Sequence, residues 1–452
     1  MTPIRRRPLE GIRVIDATHV FAIPYATGLL ADFGADVIKI HAHTRADVMT
    51  AQGPFPENDP GERPWDRVGS LNTVNRGKSS LSLDLTKPEG VEIFKRLVAQ
   101  SDVVCESYTP RVMKKFGLDY GVLKTIRSDL IMLSNTGYGH SGPWNSYGSV
   151  ATSLEGVSGM CWLSGYQNGA PSKISQSYTD FLACWNALYA LLMALCHRQR
   201  TGEGQWIDLA MYQVGASTIG PAIMDYFANG SIQTRTGNRH PAMAPHGVFP
   251  CHGDDRWIAI AVDSDDAWCC LRHAMDEPAW AMSARFDTLP GRLADQDFLE
   301  RRLADWTGSQ DSMALADRLQ NAGVMAAMVQ GARDLFVDPH TRERGLLEAV
   351  EHPSDSGIGE RLYLGRPWNL SGADLTIQRP APTLGRHNRE ILSGLLGYSD
   401  ADIVRFEQDA VIGDTMVGSP KVAALAVDEL RKRGRIGNHD PDYQQNQKRK
   451  RR

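Results

Sequence analysis

The sequence lacks most of the spacings by which chemistry announces itself. Its seven cysteines (Cys105, Cys161, Cys184, Cys196, Cys251, Cys269 and Cys270) are an odd number with no C-x-x-C pair. That argues against a disulfide framework or a cysteine-zinc site and fits a reducing compartment. There is no Walker A motif, no H-E-x-x-H motif and no G-x-S-x-G elbow. Charge of one sign is scarce too: the formal net charge is −4, which offers no global field for nucleic acid or an anionic membrane. Met1 to Pro8 carries three arginines and no apolar segment, so no secretory signal is expected and a cytoplasmic location is. The longest apolar run, Phe181 to Cys196, spans 16 residues with Asn186 inside it; it is short for a membrane span and suits a buried helix. Small molecules are therefore the expected partners, with no metal.

What is present is length and alternation. A chain of 452 residues, 42% hydrophobic and 23% charged, can bury two or three lobes. Ile12-Arg13-Val14-Ile15 reads as a strand, Pro24 to Phe33 as a helix ended by Gly34, and Asp36 to Ile40 as a second strand, a βαβ unit. A second unit follows in Ser80–Leu83, Pro88–Ala99 and Asp102–Cys105, then a helix near Tyr120 to Ile126 and a strand at Leu130–Leu133. This alternation predicts an α/β fold: a Rossmann-like large domain with a parallel sheet. The first βα turn, His19 to Pro24, has no G-x-G-x-x-G, which disfavours a nicotinamide or flavin site. Residues 229–250 read as linker or loop, and beyond them a strand at Trp257–Val262 and helices at Asp266–Met275 and Ser312–Ala322 predict a smaller α+β domain. The expected limits are 1–225 for the large domain, 226–340 for the small one, 341–440 for a segment returning to the first, and 441–452 for a basic tail ending in Lys448-Arg449-Lys450-Arg451-Arg452.

One acidic residue stands out. Asp180 lies at the mouth of a long apolar helix that the sequence ends at Arg200-Thr201-Gly202. Backbone N–H groups at a helix start hold a carboxylate ionised and aimed, as an acidic nucleophile requires. A plain N-cap worth about 1 kcal/mol would look the same.

Six blocks in order, the first of them in two parts, resemble the class III CoA-transferases, the CaiB/BaiF family. They begin with Pro8-Leu9-Glu10-Gly11-Ile12-Arg13-Val14-Ile15-Asp16 and Ala31 to Ile40, then Asn75-Arg76-Gly77-Lys78-Ser79-Ser80 through Gly90. Asp102 to Tyr108, Gly137-Tyr138-Gly139-His140-Ser141-Gly142-Pro143, Arg200 to Gln205 and Leu384-Gly385-Arg386-His387-Asn388 complete the match. The resemblance implies an acyl-CoA:carboxylate CoA-transferase with Asp180 as its nucleophile, coenzyme A thioesters and carboxylic acids as substrates, and an interlocked ring-like dimer of two identical or homologous chains. By motif position it places Phe21 and Ala22 at the nucleotide end. Leu83, Asp84, Leu85, Thr86, Ser107, Tyr108, Thr109, Lys115, Thr136, Gly137, Tyr138 and Gly139 would lie along the cofactor, with backbone N–H groups near Gly137 to Gly139 as candidate oxyanion donors. Arg76 and Lys78 are candidate phosphate partners.

The chain departs from the family pattern at Ile23, where Gly is usual, at His41, where an acidic residue is usual, and at Ala42 and Thr136, where some members carry Arg and Lys. The related α-methylacyl-CoA racemases need a Gly-His-Asp motif that would fall on Gly148-Ser149-Val150, where His and Asp are both missing. A non-catalytic subunit of a hetero-oligomeric transferase is the other alternative. Asn238, Arg239, His240 and His246 could pair with a second carboxylate of a dicarboxylic acid or be solvated loop residues. Trp162, Trp185 and Tyr178 could line an acyl site or pack the core. His140 and His197 read as structural or dipole-compensating.

Overall fold

A computed structural model describes residues 7–51, 53–174, 177–418 and 422–444. The Lys448–Arg452 run lies outside the described residues. The chain divides into two compact units: residues 1–158, 175–219 and 339–452 form one, and 159–174 with 220–338 the other. The C-terminal segment groups with the first unit. Residues 159–174 group with the second unit, which nothing in their composition signals.

The large unit is built on six parallel strands: β1 (Arg13–Ala17), β2 (Asp36–His41), β3 (Ser79–Ser82), β4 (Val103–Glu106), β5 (Ile131–Thr136) and β6 (Trp206–Ala210), ordered β3-β2-β1-β4-β5-β6. Register follows the apolar pattern, with Val14 opposite Val37 and Val103, and Ile15 opposite Ile38 and Val104. Successive strand residues point to opposite faces, so Val14, Val37, Val103 and Cys105 enter one apolar core while Ile15, Ile38, Leu81 and Val104 enter another. Helices Ala22–Asp32 and Tyr178–Thr201 contribute to the first core; Pro88–Ala99 contributes to the second.

The Tyr178–Thr201 helix is long and apolar enough to cross a membrane. One face of it enters the first core, with Ala183, Cys184, Ala187, Leu188, Leu191 and Ala194 buried. It ends at Gly202, whose φ of 76° is the left-handed stop that Arg-Thr-Gly announced.

The smaller unit carries an antiparallel sheet of β7 (His246–Pro250), β8 (Trp257–Ala261) and β9 (Met325–Met328), with a core around Trp268, Phe286, Leu299 and Leu303. Here the expectation of a loop over 229–250 needs correction. β7 is an edge strand, where a terminal proline removes no needed ladder bond, and Gly247 and Pro250 hid it. A hairpin of β10 (Leu347–Glu351) and β11 (Glu360–Leu364) belongs to the large unit.

Candidate active site

In an open parallel sheet, ligands sit beyond the carboxyl ends of the strands where the order reverses. Here that point lies between β1 and β4. The two strand ends are tied there: His19 N–H donates to Ser107 Oγ at 2.9 Å, and the His19 and Tyr108 rings meet edge to face at 5.0 Å. Val20 follows with φ of 67°, a left-handed turn costly for a branched residue, and its N–H donates to Asp47. That turn feeds the helix beginning at Ala22, whose preceding ring, Phe21, lies 5.0 Å from Phe181. Through this contact the first helix and the Asp180 helix start side by side.

Asp180 does not precede its helix; it is the third helical residue. Its N–H donates to Ser177 C=O at 2.9 Å, and its side chain is half-buried in the first turn. Ser177 is the N-cap in a left-handed conformation (φ 47°, ψ 47°), and its hydroxyl makes no capping bond. Tyr178 N–H donates instead to Glu155 Oε1 at 2.8 Å.

The expected cofactor residues fall into four groups. Phe21, Ser107, Tyr108, Thr136, Gly137, Tyr138 and Gly139 lie at the carboxyl edge. Thr136 Oγ1 accepts from Gly139 N–H at 2.8 Å, so that amide is already committed, which corrects its assignment as an oxyanion donor. Gly139 has φ of 86° and no other residue type would sit there unstrained. The run Gly137 to Gly142 has G-x-G-x-x-G spacing, but no helix opens on it, so the dinucleotide fingerprint is incomplete. The Tyr138 ring packs on Trp144 and Tyr147.

Ala22, Leu83, Asp84, Leu85 and Thr86 are interior or turn-forming. Asp84 Oδ1 accepts from the N–H and hydroxyl of Thr86, and Oδ2 from Thr44 Oγ1. Burial would raise its pKa, but these bonds outweigh it and hold the carboxyl below its usual value. Thr109 and Lys115 are exposed.

Arg76 and Lys78 correct an expectation, because neither has a free face for phosphate. Arg76 is fully buried and pairs with Asp32 at 2.9 Å. Lys78 donates to Asp16 Oδ2 at 2.7 Å, to Pro24 C=O and to Asn75 Oδ1. Lys39 also pairs with Asp16. Burial alone would raise the Asp16 pKa; the two ammonium groups reverse that and hold it far below the carboxylate range.

Two cations that do line a cavity, Lys39 and Arg45, were not singled out. His19, Lys39, His41, Arg45 and Asp47 surround it at the ends of β1 and β2. Lys39 was the readable signal, a lone charge in the apolar run of β2. Burial and the nearby Lys39 push His19 down to about 4 and His41 well below its ordinary value, so both rings are neutral near pH 7. At the end of β4, burial lifts the Glu106 carboxyl to about 7, against bonds from Ser134 and Tyr108 N–H. His140 Nε2 lies 3.8 Å from it.

In the smaller unit Arg239 is bound by Glu300, at 2.6 and 2.8 Å, and by Asp297. His246 Nδ1 meets Asn238 C=O, with the His240 ring beside it. Trp162 Nε1 donates to Gln233 C=O, and Arg235 lies over its ring. Trp185 is in the large unit, against Tyr25 and Trp368. His197 is half-buried and near Glu203.

Residues 9–388 match the family model described as CoA-transferase family III. The chain is 36% identical over 390 residues to a succinyl-CoA:mesaconate CoA-transferase of Haloarcula hispanica, covering 85% of this chain and 95% of that one. It is 33% identical over 410 residues to the beta subunit of a succinyl-CoA:L-malate CoA-transferase of Chloroflexus aurantiacus, covering 90% and 98%. Among solved structures, a CaiB/BaiF family protein from Brucella suis matches with a TM-score of 0.78 at 31% identity, over 86% of this chain and 100% of that one.

Proposed function

The chain belongs to CoA-transferase family III and is a CoA-transferase acting on CoA thioesters; from that premise we propose that it moves CoA between two dicarboxylic acids through an anhydride on Asp180. The donor class is a succinyl-type thioester, in keeping with the names of both relatives. An Asp180 oxygen attacks the thioester carbonyl, the C–S bond breaks, and CoA leaves as thiolate. The thiolate then attacks the Asp180 carbonyl of the mixed anhydride, releasing the donor acid and leaving CoA on the aspartyl group. The acceptor carboxylate attacks that thioester, and CoA thiolate returns to the acceptor's acyl carbon, regenerating the Asp180 carboxylate. Every step exchanges one activated acyl bond for another, so no ATP is required.

The observation that carries this reading is the place of Asp180: the first turn of a 24-residue helix whose start meets the first βα helix at the sheet's carboxyl edge. Backbone dipoles there favour the carboxylate and act on charge developing at it. Hydroxylamine added during turnover with succinyl-CoA tests it. The expected product is a hydroxamate at residue 180; turnover with no adduct there overturns the assignment.

The beta-subunit relative favours a second reading, a chain that acts beside a homologous partner. Exchange by the purified chain alone separates the two. A dimer and a cytoplasmic location form part of the same proposal. The exposed Tyr189 and Met193 on the long helix support the first, and seven free cysteines the second. Light scattering is expected to give twice 49.9 kDa for a homodimer.

A further inference from the structure

A helix start leaves amides in need of acceptors, and the ordinary acceptor is the hydroxyl or carboxylate of the residue just before it. The Asp180 helix is built otherwise. Ser177 occupies the N-cap position in a left-handed conformation and its hydroxyl caps nothing. The acceptor for Tyr178 N–H comes from 23 residues upstream, the Oε1 of Glu155, at 2.8 Å. Glu155 lies on the short helix Ala151–Val157, next to the core residue Leu154, and is 0% exposed. A carboxylate is rarely sealed inside a fold unless something there needs it. Its Oε2 and the adjacent Thr179 Oγ1 are both sealed without a hydrogen-bond partner among the described residues. Orphaned polar atoms of this kind gather where a fold trades stability for function.

We propose that Glu155 is a positioning residue: its carboxylate caps the helix in place of Ser177 and so fixes the turn from which Asp180 reaches the thioester. The inference rests on the reading of Asp180 as nucleophile. Asp180 is two residues past the capped amide, and its own N–H is held by the i−3 carbonyl of Ser177. Without an acceptor at Tyr178 that turn frays, and the nucleophile loses its direction. During turnover Asp180 passes between a carboxylate and neutral acyl derivatives. Glu155 forms no covalent bond in that cycle and keeps the helix start capped in both states.

The test follows exchange of labelled succinate into succinyl-CoA by the full-length chain. Glu155→Ala is expected to lower kcat roughly 10²-fold, the scale of a misplaced reacting group, while KM for succinyl-CoA changes by about threefold or less. Glu155→Gln keeps an oxygen that can accept from Tyr178 N–H and is expected to return kcat to within about tenfold of the parent. Hydrogen exchange at the 178–180 amides should be fast in the Ala variant and slow in the Gln variant. Wild-type kcat in Glu155→Ala, or equal losses in both variants with slow amides retained, overturns the proposal. If Glu155→Ala does not fold, Glu155→Gln decides alone: near-parental exchange supports the cap, and a loss as deep as that of Asp180→Ala overturns it. Asp180→Ala is the control for the underlying reading. Should it retain exchange, the nucleophile assignment fails whatever Glu155 does; should it be inactive while both Glu155 variants are normal, only the cap fails.

Discussion

Two aspartates stand at the carboxyl edge of the same sheet, and their surroundings assign them opposite work. Asp16, near the end of β1, is fully buried and takes Lys39, Lys78, Thr18 and Thr27. Each of its oxygens is occupied, so it is locked as an anion that holds β1, β2 and β3 together. Asp180 is half-buried in the first turn of a helix, where backbone dipoles favour its charge. Residue type is identical. Access to incoming substrate separates structure from proposed chemistry.

The sharpest way to break this contrast is to neutralise each carboxylate with asparagine. Asp180→Asn is expected to lower CoA exchange by roughly 10⁴-fold or more, the scale at which nucleophile removal registers, with Tm nearly unchanged. Exchange at the parental rate would erase the distinction. Asp16→Asn should do the reverse. Two buried ammonium groups would then face each other without a counter-charge, costing about 3–5 kcal/mol in urea unfolding. Activity of the fraction that remains folded should stay near that of the parent.

That contrast was only half legible in the sequence. The β1 to β5 strands and the Pro88–Ala99 and Tyr120–Ile126 helices were readable because each carries an unbroken local pattern of period 2 or 3.6. β6 escaped because, at the sheet edge, Trp206 and Asp208 are exposed and its apolar run is broken. The family blocks pointed to Asp180, yet not to its exact place in the turn, since Ser177-Tyr178-Thr179 reads equally well as a capped or uncapped start. Arg76 and Lys78 were misread for a physical reason. A basic residue in a polar stretch looks solvent-facing until tertiary packing brings Asp32 and Asp16 to it. Glu155 carried no signal at all, because its partner amide lies 23 residues away.

A third carboxylate at the same edge sharpens the comparison through pH. Burial raises the Glu106 carboxyl from 4.5 to about 7. An acid whose folded pKa exceeds its unfolded value binds its proton more tightly when native. Its stabilising contribution is therefore complete below pH 4.5 and lost as pH rises through 7. Glu106→Gln cannot titrate and should be the more stable protein above that window, by up to about 3 kcal/mol near pH 8. Urea unfolding across the range checks it; parallel curves for the two proteins would place the Glu106 pKa near its ordinary value.

The smallest expected effect lies in the other unit. Arg239 stood in the sequence as a candidate partner for a substrate carboxylate, but in the structure it already serves Glu300 and Asp297. It therefore resembles Asp16 more than Asp180: a charge answered within the fold, although nearer to solvent. Partly exposed ion pairs contribute little and are screened by salt. Arg239→Gln should give a small drop in Tm that vanishes in high salt, and KM for succinate should change by about twofold or less. A rise in KM of tenfold or more, on the order of one lost charge-assisted carboxylate contact, would instead make Arg239 a substrate residue that exchanges its internal partners for the acid.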